Sequence, residues 1–265
     1  MASTGPSTKE ILLDAVAQTL GDKALETVEP TEVHDPDHGK TVVDEAPACI
    51  TQRAIPVNLR NGPADIIVGL NNEVPRWVPG SVIKWAAWRQ GFNSQEDADY
   101  AAAQLAIAAE EWNKADIGVT FEWVPLAKDA TFVICHGGAM GGVLASAFFP
   151  NANDLNYLYV YTSAFRPPYK QGMWKIFTHE LGHVLGLRHE FAIEGNPDMG
   201  LGAEGFGAVV LGARNEKSVM NYRRELPEIQ PSDIQDTKCF YALRDDAQEN
   251  PPKVGLTPVS DYTPR

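Results

Sequence analysis

Six histidines occur in the 265-residue chain, and three of them fall in one short run: His179-Glu180-Leu181-Gly182-His183-Val184-Leu185-Gly186-Leu187-Arg188-His189. Two histidines four apart on a helix lie one turn from each other on the same face. Both imidazoles can therefore reach one ion. Glu180 sits about 100° round that helix from His179, placed to approach a water on the ion without ligating it. Gly186 can take the positive φ that lets a helix stop and the chain turn sharply. Three residues later, His189 can swing back beneath the helix as a third ligand. Three neutral imidazoles with a fourth position open are the ligand set of a catalytic zinc, and one such ion is expected.

A second stretch, Ser218-Val219-Met220-Asn221-Tyr222, places its methionine 31 residues after His189. Together the two stretches resemble the zinc signature and Met-turn of the metzincin metallopeptidases. Glu190, directly after the third histidine, is similar to the astacin family, and a tyrosine two residues past the methionine is shared by astacins and serralysins. Past Glu190 astacins continue with a run rich in Arg and Asp, where this chain reads Phe191-Ala192-Ile193-Glu194-Gly195-Asn196. The resemblance is thus to an astacin-like metzincin.

That resemblance implies an α+β fold of zincin type, a twisted mixed sheet with two long helices over a small irregular C-terminal subdomain. It implies a zinc endopeptidase acting on an extended peptide or protein substrate. Glu180 would be the general base, Met220 an apolar floor beneath the metal, and Tyr222 a resting ligand that swings away to serve the reaction. Val143, Leu144, Ala145 and Ser146 would belong to the strand lining the cleft, whose free edge an extended peptide can pair with. Arg223 and Arg224 would stand at the wall of the pocket beyond the cut, where they could favour an acidic residue. Two other readings stay open: a zinc-binding but non-proteolytic zincin module, and a zinc hydrolase of other amides or esters.

These residues need elements to hold them. Ser81–Trp88 suits a first strand. Ser94–Asn113 is a helix, with Ala101, Leu105, Ala108 and Trp112 on one face. Gly118–Val124 and Thr131–His136 read as strands apolar enough for the middle of a sheet, and Cys135 and His136 as core and loop rim rather than ligands. Val143–Phe149 and Asn156–Thr162 are further strands, and Trp174, Phe177, Leu181, Val184 and Leu185 pack the zinc helix on the sheet. Gly195–Gly212 reads as irregular. Ser232–Leu243 is a closing helix capped by Ser232 and Gln235, and the tail from Asn250, with four prolines, reads as flexible.

The division expected is an acidic N-terminal extension over residues 1–74 and a catalytic domain over 75–265, split at His189 into upper and lower parts. Ser7 and Glu10 make a capping box for a short helix that ends at Gly21, with Leu12, Val16 and Leu20 on one face. Residues 22–60 read as loop. The first 50 residues carry ten acids and three lysines. A solvated arm is the plainer reading, and a latency segment over the cleft the sharper one. The sharper one needs a group that blocks the metal, either Cys49 or an acid in His34-Asp35-Pro36-Asp37-His38. An ordinary thiol is favoured for Cys49, and loop positions for His34 and His38.

The net charge of −13 argues against nucleic acid and anionic membranes as partners. Three scattered cysteines make no disulfide framework. With no leader in evidence at the start, the default compartment is the cytoplasm, or the exterior without a cleaved signal. Oligomeric state and physiological substrate leave no trace in the sequence.

Overall fold

A computed structural model of the chain describes residues 5–31, 36–43, 48–49, 73–204, 208–212 and 215–265. His34 and Asp35 lie outside the described residues, as does about half of the stretch read as loop. In chain order the regular elements begin with α1 (Thr8–Leu20), β1 (Thr27–Val28), β2 (Ala48–Cys49), β3 (Val74–Trp77) and β4 (Val82–Trp88). There follow α2 (Gln95–Lys114), β5 (Thr120–Trp123), β6 (Phe132–His136), β7 (Val143–Ser146) and β8 (Asn156–Val160). The metal helix α3 (Met173–Val184) comes next, then α4 (Pro231–Ala242), β9 (Lys253–Val254) and β10 (Thr257–Tyr262).

Seven strands make one mixed sheet in the order β1-β4-β6-β8-β7-β2, with β5 also paired to β4. The strands β4, β5, β6 and β8 run parallel, while β7 turns back antiparallel to β8. The fold is α+β, with helices and a twisted mixed sheet as expected. One strand differs from its reading. Apolar content puts β6 in the middle of the sheet, but β5 bonds to β4 alone and alternates exposed with buried residues, as a half-covered strand should.

The two long helices pack on each other and on the sheet. Ser94 caps α2 by accepting from the Asp97 N–H, and Ala101, Leu105, Ala108 and Trp112 are all buried. The Trp112 indole N–H, which burial would otherwise leave unpaired, donates to Thr178 O on α3 at 2.9 Å. Every residue of α3 is buried. A helix buried all round is gripped from all sides, which suits an element that must hold two ligands still.

At its C-terminal end α3 is clamped by two segments far from it in sequence, β3 and α4. The Trp77 indole donates to Val184 O at 2.7 Å, and the Tyr241 hydroxyl to Leu185 O at 3.0 Å. The Gly186 φ is +97°, and a Cβ there would lie 2.5 Å from Pro75 O, so glycine is required for both turn and contact.

The tail from Asn250 is not a flexible extension. Residues Val259–Tyr262 of β10 pair in parallel with Val74–Trp77, and β9 completes a three-stranded sheet. Two interactions hold it: Val254 and Val259 are buried, and the fully buried Arg76 guanidinium forks onto Asp261 at 2.7 and 2.9 Å. Proline density suggested a loop, but Pro251, Pro252 and Pro264 lie outside the strands, and Pro258 pairs only with Lys253, before β10 meets β3 at Val259. The closing helix also differs in its cap. Gln230 and Asp233 form the box, with Pro231 in the first turn, whereas Ser232 Oγ accepts from Asn215.

Within the N-terminal extension, α1 has the Ser7–Glu10 capping box and stops at Gly21. Its Leu12 and Leu20 are exposed rather than packed, and the helix is tied down instead by Lys9, which donates to Ala130 O. Further on, β1 joins the sheet through β4, and Val28 and Val43 enter the main core. No helix among the described residues is long and apolar enough to cross a membrane.

Candidate active site

The helix α3 presents His179 and His183 one turn apart, and the turn at Gly186 brings His189 against them. The His189 Nε2 lies 3.2 Å from both the His179 and the His183 Nε2. A tetrahedral ion with metal–nitrogen bonds of about 2.05 Å sets its nitrogens about 3.3 Å apart. The spacing fits.

Each ring is also oriented for it. The His179 Nδ1 lies 2.7 Å from Val219 O and the His183 Nδ1 2.7 Å from Leu187 O. A carbonyl only accepts, so each Nδ1 carries the hydrogen and each Nε2 a lone pair. On the third ring, Nδ1 faces Glu204 Oε1. Burial, and after it the neighbouring His189, holds His179 neutral with its pKa down to about 3; His183 is likewise depressed well below the usual histidine value. Lone pairs so close repel one another unless a cation sits among them, which is the direct reason to place a metal here.

Glu204 is a candidate functional residue that spacing could not find, set in a glycine-rich stretch. Burial would raise its carboxyl, but the His189 hydrogen bond and charge, then Arg188, outweigh burial and bring it down to about 2. Arg188 Nη2 donates to the second oxygen at 2.9 Å, and the Glu204 N–H is fixed on Ala192 O.

Glu180 points into the same space. Both of its carboxylate oxygens are buried with no hydrogen-bond partner among the described residues. Burial holds its carboxyl up, to about 8, with the Cys49 thiol and the Ala147 amide opposing. A cation among the imidazoles would favour the charged form. A buried carboxyl whose oxygens meet no well-formed hydrogen bond is the mark of a group kept for a reactant.

Beneath the helix lies the turn at Met220. This methionine is buried, and a Cβ on Gly182 would meet its Sδ at 2.3 Å, so glycine at 182 is what lets the turn approach. The Glu190 N–H donates to Met220 O, and Glu190 Oε1 accepts from the Asn215 N–H at 2.5 Å. Asp233 accepts from the Val219 N–H, while Val219 O holds His179. The turn and a ligand imidazole are therefore fixed together.

Tyr222 is buried beside His179 and His189, its ring centroid 4.8 Å from the latter. Its hydroxyl meets Cys49. That cysteine, favoured from the sequence as an ordinary thiol, lies among the three imidazoles, with Sγ at 3.3, 3.6 and 3.2 Å from the Nε2 of His179, His183 and His189. The Tyr222 hydroxyl is 2.8 Å from that sulfur and accepts the Cys49 N–H at 2.7 Å. Among the described residues, Cys49 and the three histidines are the one cluster that could hold a metal. Burial pushes both the thiol and the phenol up in the chain alone. A divalent ion inverts this and deprotonates a coordinating thiol.

The strand β7 runs beside this centre, with Leu144, Ala145 and Ser146 buried and Val143 half-buried. A pocket between it and the helix is lined by Leu144, Ile176, Leu226 and Pro227 together with Cys49, His179, Glu180 and Tyr222. Arg223 is half-buried and Arg224 exposed, on the chain between Tyr222 and that pocket. Other candidates fall elsewhere. Asp37 accepts from the Gly39 N–H, His38 pairs with Glu228, and His136 accepts from the Gly138 N–H. Cys135 is a buried thiol pushed up to about 12 by burial, and all three cysteines are free.

The profile of a family described as dual-action HEIGH metallo-peptidases matches residues 81–216, just over half of the chain. The five letters of that description correspond here to His179-Glu180-Leu181-Gly182-His183. A solved structure, high choriolytic enzyme 1, a hatching-enzyme zinc protease from the medaka fish Oryzias latipes, is similar at a TM-score of 0.42 and 14% identity. That match covers 73% of this chain and 94% of the other. No curated protein matches in sequence.

Proposed function

The chain belongs to the dual-action HEIGH metallo-peptidase family, and on that premise we propose that it is a zinc-dependent endopeptidase of metzincin type acting on extended peptides. The observation that carries the reading is the meeting of three imidazoles, with His189 Nε2 3.2 Å from the Nε2 of each of the other two, beside the buried Glu180 carboxyl. His179, His183 and His189 would hold the ion, and Glu204 would fix the third of them. Zinc, when bound, supplies the Lewis acidity that polarises the scissile carbonyl and acidifies the attacking water.

The chain's own groups do the rest. Glu180 takes the proton of the water on a carboxylate oxygen and returns it to the leaving amine. The Tyr222 O–H donates to the oxyanion that develops on the attacked carbonyl, where a fixed donor acts most strongly. The edge of β7 offers N–H and C=O groups to a substrate added as a further strand. Leu144, Ile176, Leu226 and Pro227 favour an apolar side chain next to the cut, whereas Arg223 and Arg224 would favour an acidic one. Profiling on a peptide library separates these two preferences.

The test compares two chains that both carry Cys49→Ala, so that no thiol competes for the fourth corner. Adding Glu180→Gln should leave zinc content unchanged and lower turnover by about 10²–10⁴-fold, since the amide cannot accept the water's proton. Undiminished cleavage would remove Glu180 from its role. Stoichiometric zinc with no cleavage of any library peptide by the Glu180 chain would instead support the non-proteolytic module.

A further inference from the structure

We propose that Cys49 is a fourth ligand of the metal and that residues 36–43 together with Ala48 and Cys49 strap the active site shut. This rests on the metallopeptidase reading and concerns its regulation. The first support is distance. With metal–sulfur bonds of about 2.3 Å and metal–nitrogen bonds of about 2.05 Å, a tetrahedral site sets sulfur about 3.6 Å from each nitrogen. The Sγ lies at 3.2–3.6 Å from the three Nε2 atoms, and all four ligand atoms fall within 4.8 Å of one another. Three histidines and a cysteine make a closed set, and closed sets are structural, not catalytic.

The second support is what the sulfur displaces. Glu180 and Cys49 line the same pocket, with the thiol beside the Glu180 carboxyl. Its reactant is water, and the thiol stands in the water's place. Tyr222, the donor meant for the oxyanion, is held by Cys49 at both the backbone N–H and the sulfur. One residue thus engages the ligands, the base and the oxyanion donor together.

A third support is the path of the segment, which is anchored on both walls of the cleft. On one side, Lys175 Nζ donates to Gly39 O at 2.6 Å, the Leu226 N–H to Thr41 O at 3.0 Å, and the Val43 N–H to Arg224 O at 2.7 Å. Lys40 pairs with Glu225 at 2.8 Å, and Val43 is buried in the core. On the other side Ala48 and Cys49 add to the edge of β7 in parallel, opposite Val143 and Ala145. This is the edge a substrate would need. The segment presents a side-chain sulfur to the metal where a substrate must present a backbone carbonyl, so it fills the cleft without offering a bond to cut. Withdrawal of the segment leaves the fourth position to water, and the thiolate takes a proton from solvent.

The tether also makes the block effective. A ligand on the same chain acts at a millimolar effective concentration, so a contact of only about 100 µM affinity would keep roughly ten sites closed for each one open.

Zinc-edge X-ray absorption on the full chain, beside Cys49→Ala and Cys49→Ser, tests the proposal without reference to turnover. The full chain should show one sulfur at about 2.3 Å and the variants only nitrogen and oxygen at about 2.0–2.2 Å. Peptide hydrolysis by either variant should exceed that of the full chain by about tenfold or more. A full chain with nitrogen and oxygen alone overturns the proposal, and leaves the peptidase reading intact if it cleaves. Sulfur in the shell with variants no faster than an active full chain overturns the strap as an inhibitor. Sulfur in the shell with zinc-loaded variants that hydrolyse nothing sinks the peptidase reading itself, and the latency with it.

Discussion

Removing the Glu204 carboxylate should loosen the metal without touching a ligand. In Glu204→Ala the His189 ring keeps its place in the chain but loses the acceptor that fixes its Nδ1 hydrogen and the negative charge beside it. Loss of such an outer partner weakens metal binding by about 10–100-fold, equivalent to about 1.4–2.7 kcal/mol. Two details locate the expected value in that range. The carboxylate is held in advance by Arg188 and by the Glu204 N–H on Ala192 O, so little of its effect is spent on ordering it. A quarter of the side chain is exposed, however, so water can take over part of the bond. A fall of about 10–30-fold is expected. Glu204→Gln, which keeps an acceptor and loses the charge, should fall between the parent and Glu204→Ala. Competition for zinc against a chromophoric chelator measures all three, and circular dichroism checks that the fold is kept. Arg188→Met is the comparison, since it removes the partly buried ion pair but leaves the acceptor on His189. Affinity for Glu204→Ala within about twofold of the parent would show that His189 needs no such partner, and the reasoning from the outer shell would fail.

The other expectations concern the pocket floor, the phenol and the C-terminal sheet. In the Cys49→Ala chain, Tyr222→Phe should keep its zinc and lose about 10²–10³-fold in turnover; a change within about twofold would make Tyr222 a packing residue. Gly182→Ala forces a methyl into Met220 and should cost about 1–3 kcal/mol, read in denaturant melts, while Met220→Ala in the same chain should relieve part of it. Asp261→Ala strips the partner of the buried Arg76 and should destabilise by about 1.5–3 kcal/mol. An unchanged midpoint would mean that Phe240 O and Leu243 O satisfy the guanidinium alone.

The parts of this site that could be read in the sequence are those written at helical spacing or in adjacent residues. His179 and His183 are four apart, Gly186 ends their helix, and His189 follows within one turn, so local geometry alone nearly assembles the ligands. Met220 came from a motif of five residues. Cys49 was considered as a blocking group and then passed over, because its role depends on a parallel pairing with a strand nearly a hundred residues away. Nothing near it in sequence announces that pairing. Glu204 is hidden for a similar reason, a single acid whose meaning is fixed by the turn that brings it to His189. The C-terminal strands were masked by prolines, since their register is set by β3 and a buried arginine rather than by their own alternation. In the cap of α4, Ser232 and Gln235 matched the pattern, but Asp233 makes bonds to both Gln230 and Val219 that the pattern does not see.

The pairing of β3 with β10 also bears on how the protein is made. Arg76 and Asp261 are 185 residues apart. Until β10 is synthesised, β3 lacks the strand it pairs with, and the Trp77 indole that clamps Val184 rides on a segment without that partner. Such distant contacts form late, because the loop between them must close before they yield any gain. A ribosome-bound chain would therefore expose all three histidines well before the framework that aims them. Zinc capture by nascent chains stalled before residue 250 should be weak, and strong only once the final strand is in place. The strap, drawn from the first fifty residues, is waiting by then, so the cleft would be filled from the moment it exists.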